Sequence, residues 1–168
     1  MEQFGKTLVD QSGFDPHYVT MMSCQAEGGL HAFSSYIEDA LDDLKQERNL
    51  DLLVVGFWGH GFSDSPGTRY LCGIETKEDD LERTAVSLQL VQARLKQVQA
   101  RDTLVILDCC QNRPAGRSGA AQPISSGEEL ALGSMARDIQ TARVEQDPLT
   151  VPTVAVLTAC REGQHGVE

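Results

Sequence analysis

Two residues in this chain have the types and positions for covalent chemistry. His60 lies in Phe57-Trp58-Gly59-His60-Gly61-Phe62, directly after the apolar run Leu52-Leu53-Val54-Val55. Cys110 lies about fifty residues later in Leu107-Asp108-Cys109-Cys110-Gln111-Asn112, after Leu104-Val105-Ile106-Leu107. A thiol at its reference pKa is mostly protonated at neutral pH and becomes an effective nucleophile beside an imidazole or a positive dipole. His60 is the one histidine at the end of a strong apolar run, which makes it the candidate base for a thiolate mechanism. Two thiols compete for the nucleophile. Strand alternation sends Asp108 and Cys110 to one side and Cys109 to the other, and Cys110 reaches farther into the following loop. Gly61 lets a substrate carbonyl approach the backbone closely. Its N–H and that of Cys110 are candidate oxyanion donors, a device worth about 2.7–4 kcal/mol per donor in characterised enzymes.

Positioning these residues requires strands that end side by side. In an open α/β sheet, residues beyond the carboxyl ends of parallel strands converge on one crevice. The pattern supplies such strands. Asp51 to Phe57 is a near-continuous apolar run, the pattern of a central parallel strand covered on both faces. Thr103 to Leu107 and Thr153 to Leu157 are the next two. Between them, Phe33, Ile37, Leu41 and Leu44 give a helical stripe over about 31–47, and Ser87 caps a helix over about 88–99 carrying Leu88, Val91, Leu95 and Val98 inward. A further helix spans about 128–144, and a short one occupies residues 1–14. Tyr18 to Met22 reads as a strand after the Asp15-Pro16 turn. Residues 58–68 read as a Gly/Ser/Pro loop, Arg69 to Ile74 as a short extra strand, Glu75 to Glu82 as a charged loop, and residues 111–127 as a flexible insert. Alternating helices and strands give an α/β fold with a mainly parallel sheet, in a single domain of 168 residues.

Composition narrows the function. Acidic residues outnumber basic ones 25 to 14, for a net charge of −11. Such a surface repels phosphate backbones, so nucleic acid is not an expected partner, and it favours basic substrates. Five cysteines without regular spacing do not form a disulfide framework, so a reducing cytoplasm is the expected compartment. No window approaches the ~20 apolar residues of a membrane span, and the first residues carry no secretory pattern. No metal or other cofactor is expected.

The chain resembles the caspase-like cysteine peptidases, and their metacaspase, paracaspase and orthocaspase branches more than true caspases. His60-Gly61 is similar to the family's histidine motif and Asp108-Cys109-Cys110 to its Asp-x-Cys motif. Glu75 to Leu90 is similar to the family's segment between those motifs, and Leu157 to Glu168 to the segment after its fifth strand. The resemblance implies a three-layer fold, with Cys110 as nucleophile, His60 as its partner, and an oxyanion hole from Gly61 and Cys110. It implies an S1 pocket lined by Asp108 and Glu168, hence cleavage after Arg or Lys, because a carboxylate pairs a guanidinium by charge-assisted hydrogen bonds. Self-cleavage is implied at Arg113 or Arg117 in the insert. The paired aspartates that bind calcium in some relatives are replaced by Val86-Ser87, and Asp79-Asp80 lie earlier, so no calcium site is expected. The family's first and last strands have no counterpart here, so the expectation is a sheet lacking both, with a partner chain or segment supplying them.

Two other readings compete. A non-catalytic caspase-like module would bind partners or regulate an active relative; the missing strands favour it, and retention of both His60 and Cys110 opposes it. A redox or metal role for Cys109-Cys110 lacks the C-x-x-C spacing such sites use.

Overall fold

The computed structural model describes residues 2–24, 30–64, 68–112, 129–146 and 152–158, with the backbone alone at 2, 110–112 and 129–133. In chain order these form α1 (Glu2–Ser12), a 3-10 turn (Pro16–Tyr18), β1 (Met22–Ser23), β2 (Leu30–His31), α2 (Ser34–Asp43), β3 (Leu50–Ser63), β4 (Arg69–Cys72), α3 (Leu81–Thr84), β5 (Ala85–Ser87), α4 (Leu88–Leu95), β6 (Ala100–Asn112), α5 (Glu129–Gln146) and β7 (Thr153–Thr158). Strands β5-β4-β3-β6-β7 form one sheet and β1-β2 a small parallel pair. The β3–β6 and β6–β7 pairs are parallel. The β3–β4 and β4–β5 pairs are antiparallel. This is the α/β architecture expected from the sequence.

Three local expectations fail. Tyr18 to Met22 is not a strand: Asp15 accepts from the His17 N–H at 2.9 Å, and Val19 N–H closes the turn on Pro16 O at 3.2 Å. Only Met22–Ser23 pairs. Residues 58–63 are not loop but the continuation of β3, and Asp108 to Asn112 likewise continue β6. Glycine-rich sequence hid the first extension, because glycine weakens the strand signal while a neighbouring strand can still hold it.

The core lies on one face of the sheet. Leu53, Val105, Leu107 and Cys109 point to it and meet Leu41 from α2, Val91 and Leu95 from α4, and Met135 and Ile139 from α5. Leu95, Val105 and Ile139 are wholly buried. Each such side chain contributes about 1.5–3 kcal/mol by leaving water. Arg143 fastens this layer. Its Nη1 donates to Thr103 Oγ1 at 2.7 Å and Ala100 O at 3.2 Å, and its Nη2 to Leu95 O at 3.0 Å. One α5 side chain thus holds the end of α4 to the start of β6, and its burial lowers the guanidinium's pKa. Asp42 joins α2 to α4 through Arg94 at 2.7 Å. The hydrogen bond from Lys45, reinforced by the charge of Arg94, holds its carboxyl below the usual range.

Among the described residues the opposite face is thinly covered. Phe57 packs into the core, so Trp58 projects the other way, where α1 meets it through Phe4 with ring centroids 5.1 Å apart. Leu52 and Leu157, which alternation also places on this face, are 45% and 55% exposed. The sequence reading of β3 as covered on both faces is therefore corrected. Among the described residues β3 also has an open edge. It pairs with β6 from Leu50 to Phe62 but with β4 only at Gly61 to Ser63.

Candidate active site

Strands β3 and β6 bring the two motifs together by register. Their Cα partners include Trp58 with Asp108, Gly59 with Cys109, and His60 with Cys110. Neighbouring strands lie about 4.7–4.9 Å apart, so the His60 and Cys110 backbones are adjacent. Fifty residues of separation in sequence collapse to one rung because α4 returns the chain from the β4–β5 side to a strand parallel with β3. The start of that helix is set by Ser87, whose Oγ accepts the Leu90 N–H at 3.1 Å.

Alternation along β6 sorts the motif as the sequence implied. Cys109 is buried, and Asp108, on the other face, is exposed. His60 is exposed as well. Among the described residues Asp108 has no hydrogen-bond or ion-pair partner, so it does not cap backbone N–H groups there. The Cys110 side chain, Arg113, Arg117 and Glu168 lie outside the described residues, as does the expected insert beyond Asn112; Gln111 and Asn112 belong to β6.

The extension of β3 changes the setting of the histidine motif. A hairpin to β4 follows it, closed by Asp64: its Oδ1 accepts the Thr68 N–H at 2.8 Å and its Oδ2 the Tyr70 hydroxyl at 3.1 Å. Burial raises the Tyr70 pKa, and Asp64 adds to the effect. Gly61 therefore sits in a rung paired on both sides, with Leu71 and Gln111, instead of in the open loop expected from sequence. A ladder position aims its N–H at a neighbouring strand, so service as an oxyanion donor requires this rung to open.

The segment after β4 is locked in place. Glu75 Oε1 accepts the Ser34 N–H at 2.6 Å, capping α2 from across the fold. Ser34 Oγ and Thr76 Oγ1 both donate to Thr84 O at 2.9 Å. Gly73 is required there, since a Cβ would stand 2.7 Å from Ala32 O. Burial, with Cys109 adding to it, pushes the thiol of nearby Cys72 up to about 11, which disfavours its thiolate.

The match to a family model decides the family. The caspase-domain model of the C14 peptidases covers residues 2–168. The chain belongs to the caspase-domain family of cysteine peptidases. No individually curated relative matches it. Among the described residues, no helix of this caspase-domain chain is long and apolar enough to cross a membrane.

Sequence reasoning overlooked Trp58. The signal was present: it stands two residues before His60, as Asp108 stands two before Cys110, so equal offsets on parallel strands put them on one rung. Arg143 carried no comparable signal, because nothing local marks a helical arginine as buried.

Proposed function

We propose that this caspase-domain chain is a cysteine endopeptidase that cleaves after Arg or Lys through Cys110 and His60. The single observation that carries this reading is the shared rung of the two residues in a strand pair of fixed register. The Cys110 thiolate attacks the scissile carbonyl carbon, and the C–N bond breaks as His60 gives its proton to the leaving amine. That leaves a thioester. Water attacks it, His60 takes up the water's proton, and the thiolate leaves with the new carboxylate released. Backbone N–H groups of Cys110 and, once its rung opens, Gly61 hold the oxyanion.

An exposed Asp108, without a partner among the described residues and two rungs from the dyad, supports a basic P1 residue; Glu168 is proposed as a second acid. An acid two residues before the nucleophile groups the chain with the Arg/Lys-cleaving branches. Arg113 and Arg117 are proposed self-cleavage points, and a reducing, cytoplasmic compartment suits an uncrosslinked thiol. The open edge of β3 from Leu50 to His60 is the proposed dock for a strand from a partner chain or a further segment, because unpaired backbone N–H and C=O groups select another strand. That open edge is also what favours the alternative, a non-catalytic module.

Labelling with a thiol-reactive Arg-peptide probe, read by mass spectrometry, separates the two. Selective modification of Cys110 over exposed Cys24 is expected. Equal modification of both, or none on a folded chain, contradicts the peptidase.

A further inference from the structure

Trp58 and Asp108 are rung partners, two rungs before His60 and Cys110 on the same strands. Two residues along a strand amount to about 6.6 Å, a distance that a long basic side chain spans. The indole is held on two sides. Phe4 packs on it at 5.1 Å with planes 52° apart. Beneath it lies Gly56, where any Cβ would collide with the ring. Across the rung from Trp58 is Asp108, on the same face of the sheet, exposed and without a partner among the described residues.

A carboxylate next to an aromatic ring suits one cation better than another. A guanidinium is planar and weakly hydrated, so it stacks on an indole while its fork pairs with a carboxylate. A lysine ammonium is a compact, strongly hydrated point charge. It pairs with the carboxylate but gains less from the ring.

We propose that Trp58 is a specificity-determining residue that makes the Asp108 subsite select arginine over lysine. The proposal rests on the peptidase reading above and goes beyond it by naming the preferred base and the residue that imposes the preference. Asp108 supplies the charge common to both cations, and Trp58 supplies the difference.

The test is the ratio of kcat/KM for matched Arg and Lys peptides in the full chain and its Trp58→Phe and Trp58→Leu variants, with folding checked by circular dichroism. The wild-type chain is expected to prefer Arg by about three- to tenfold. Trp58→Phe should keep part of that ratio and Trp58→Leu should bring it near one. Because Trp58 is the sole tryptophan, its fluorescence in a Cys110→Ala chain gives a second readout that survives misfolding of the Leu variant. An Arg peptide should change the emission saturably, a matched Lys peptide should bind more weakly, and Asp108→Asn should abolish both responses. Hydrolysis after both bases with an Arg:Lys ratio unmoved by Trp58→Phe, or emission indifferent to an Arg peptide that is cleaved, overturns the role of Trp58 and leaves the peptidase standing. A folded chain that cleaves after neither base overturns the peptidase reading and this proposal with it.

Discussion

The two faces of the sheet are built to different standards. One is closed by α2, α4 and α5, with Leu95, Val105 and Ile139 wholly buried and Arg143 tying three elements together. The other carries Trp58, His60 and Asp108, is touched by α1 at Trp58, and leaves Leu52 and Leu157 45% and 55% exposed. Both faces are made by the same strands, so the strands serve as a rigid floor. Burial on one side fixes the register, and the register aligns the motif residues on the other. Stability and chemistry are thereby separated, and substitutions on the two faces should separate as well.

The sharpest contrast is expected in amide exchange. Amides of β6 between Asp102 and Leu107, paired with β3 and β7, should exchange on the order of a thousandfold slower than the alternate β3 amides that face the open edge. Uniform protection along β3 would show that the edge is covered. Next comes stability. Ile139→Ala should cost about 2–5 kcal/mol in urea denaturation. Leu157→Ala on the open face should stay within about 0.5 kcal/mol; equal costs would erase the distinction between the faces.

Arg143→Met should cost about 2–4 kcal/mol, because Thr103 Oγ1 and the Ala100 and Leu95 carbonyls lose their buried donor. A neutral result would mean that packing alone holds α5. The last effect is a pH slope. Folding raises the Cys72 pKa from 9.0 to about 11, so the folded state holds that proton more tightly. Its contribution is full below pH 9 and is lost as pH rises toward 11. Denaturation midpoints should decline across that window, and Cys72→Ala should flatten the decline.

Much of this was legible in the sequence because burial writes itself as pattern. Leu53, Val55, Leu104 and Val105 announce strands, and the Ile37/Leu41 and Val91/Leu95 spacings announce helices. The Ser87 cap follows from side-chain chemistry, and the His60 and Cys110 motifs from their places after apolar runs. What stayed hidden depends on partners distant in sequence. The strand character of Gly59 to Ser63 comes from β6 and β4, and the helical turn at Tyr18 from Asp15 and Pro16 outweighing a β-branched run. The Glu75 cap on α2 crosses 41 positions. The rung that joins Trp58 to Asp108 was hidden for a different reason. It follows by counting back from His60 and Cys110, but only once their shared register is known.

The central claim is that His60 and Cys110, joined on one rung, form a working dyad. Its most direct test is hydrolysis of matched fluorogenic peptides ending in Arg, Lys or Asp by the chain and by its Cys110→Ala and His60→Ala variants, with folding verified for each. Cleavage after Arg or Lys, abolished by Cys110→Ala and reduced at least about a hundredfold by His60→Ala, is the expected result. Cleavage that survives Cys110→Ala, or a folded wild-type chain that cleaves none of the three, would contradict it.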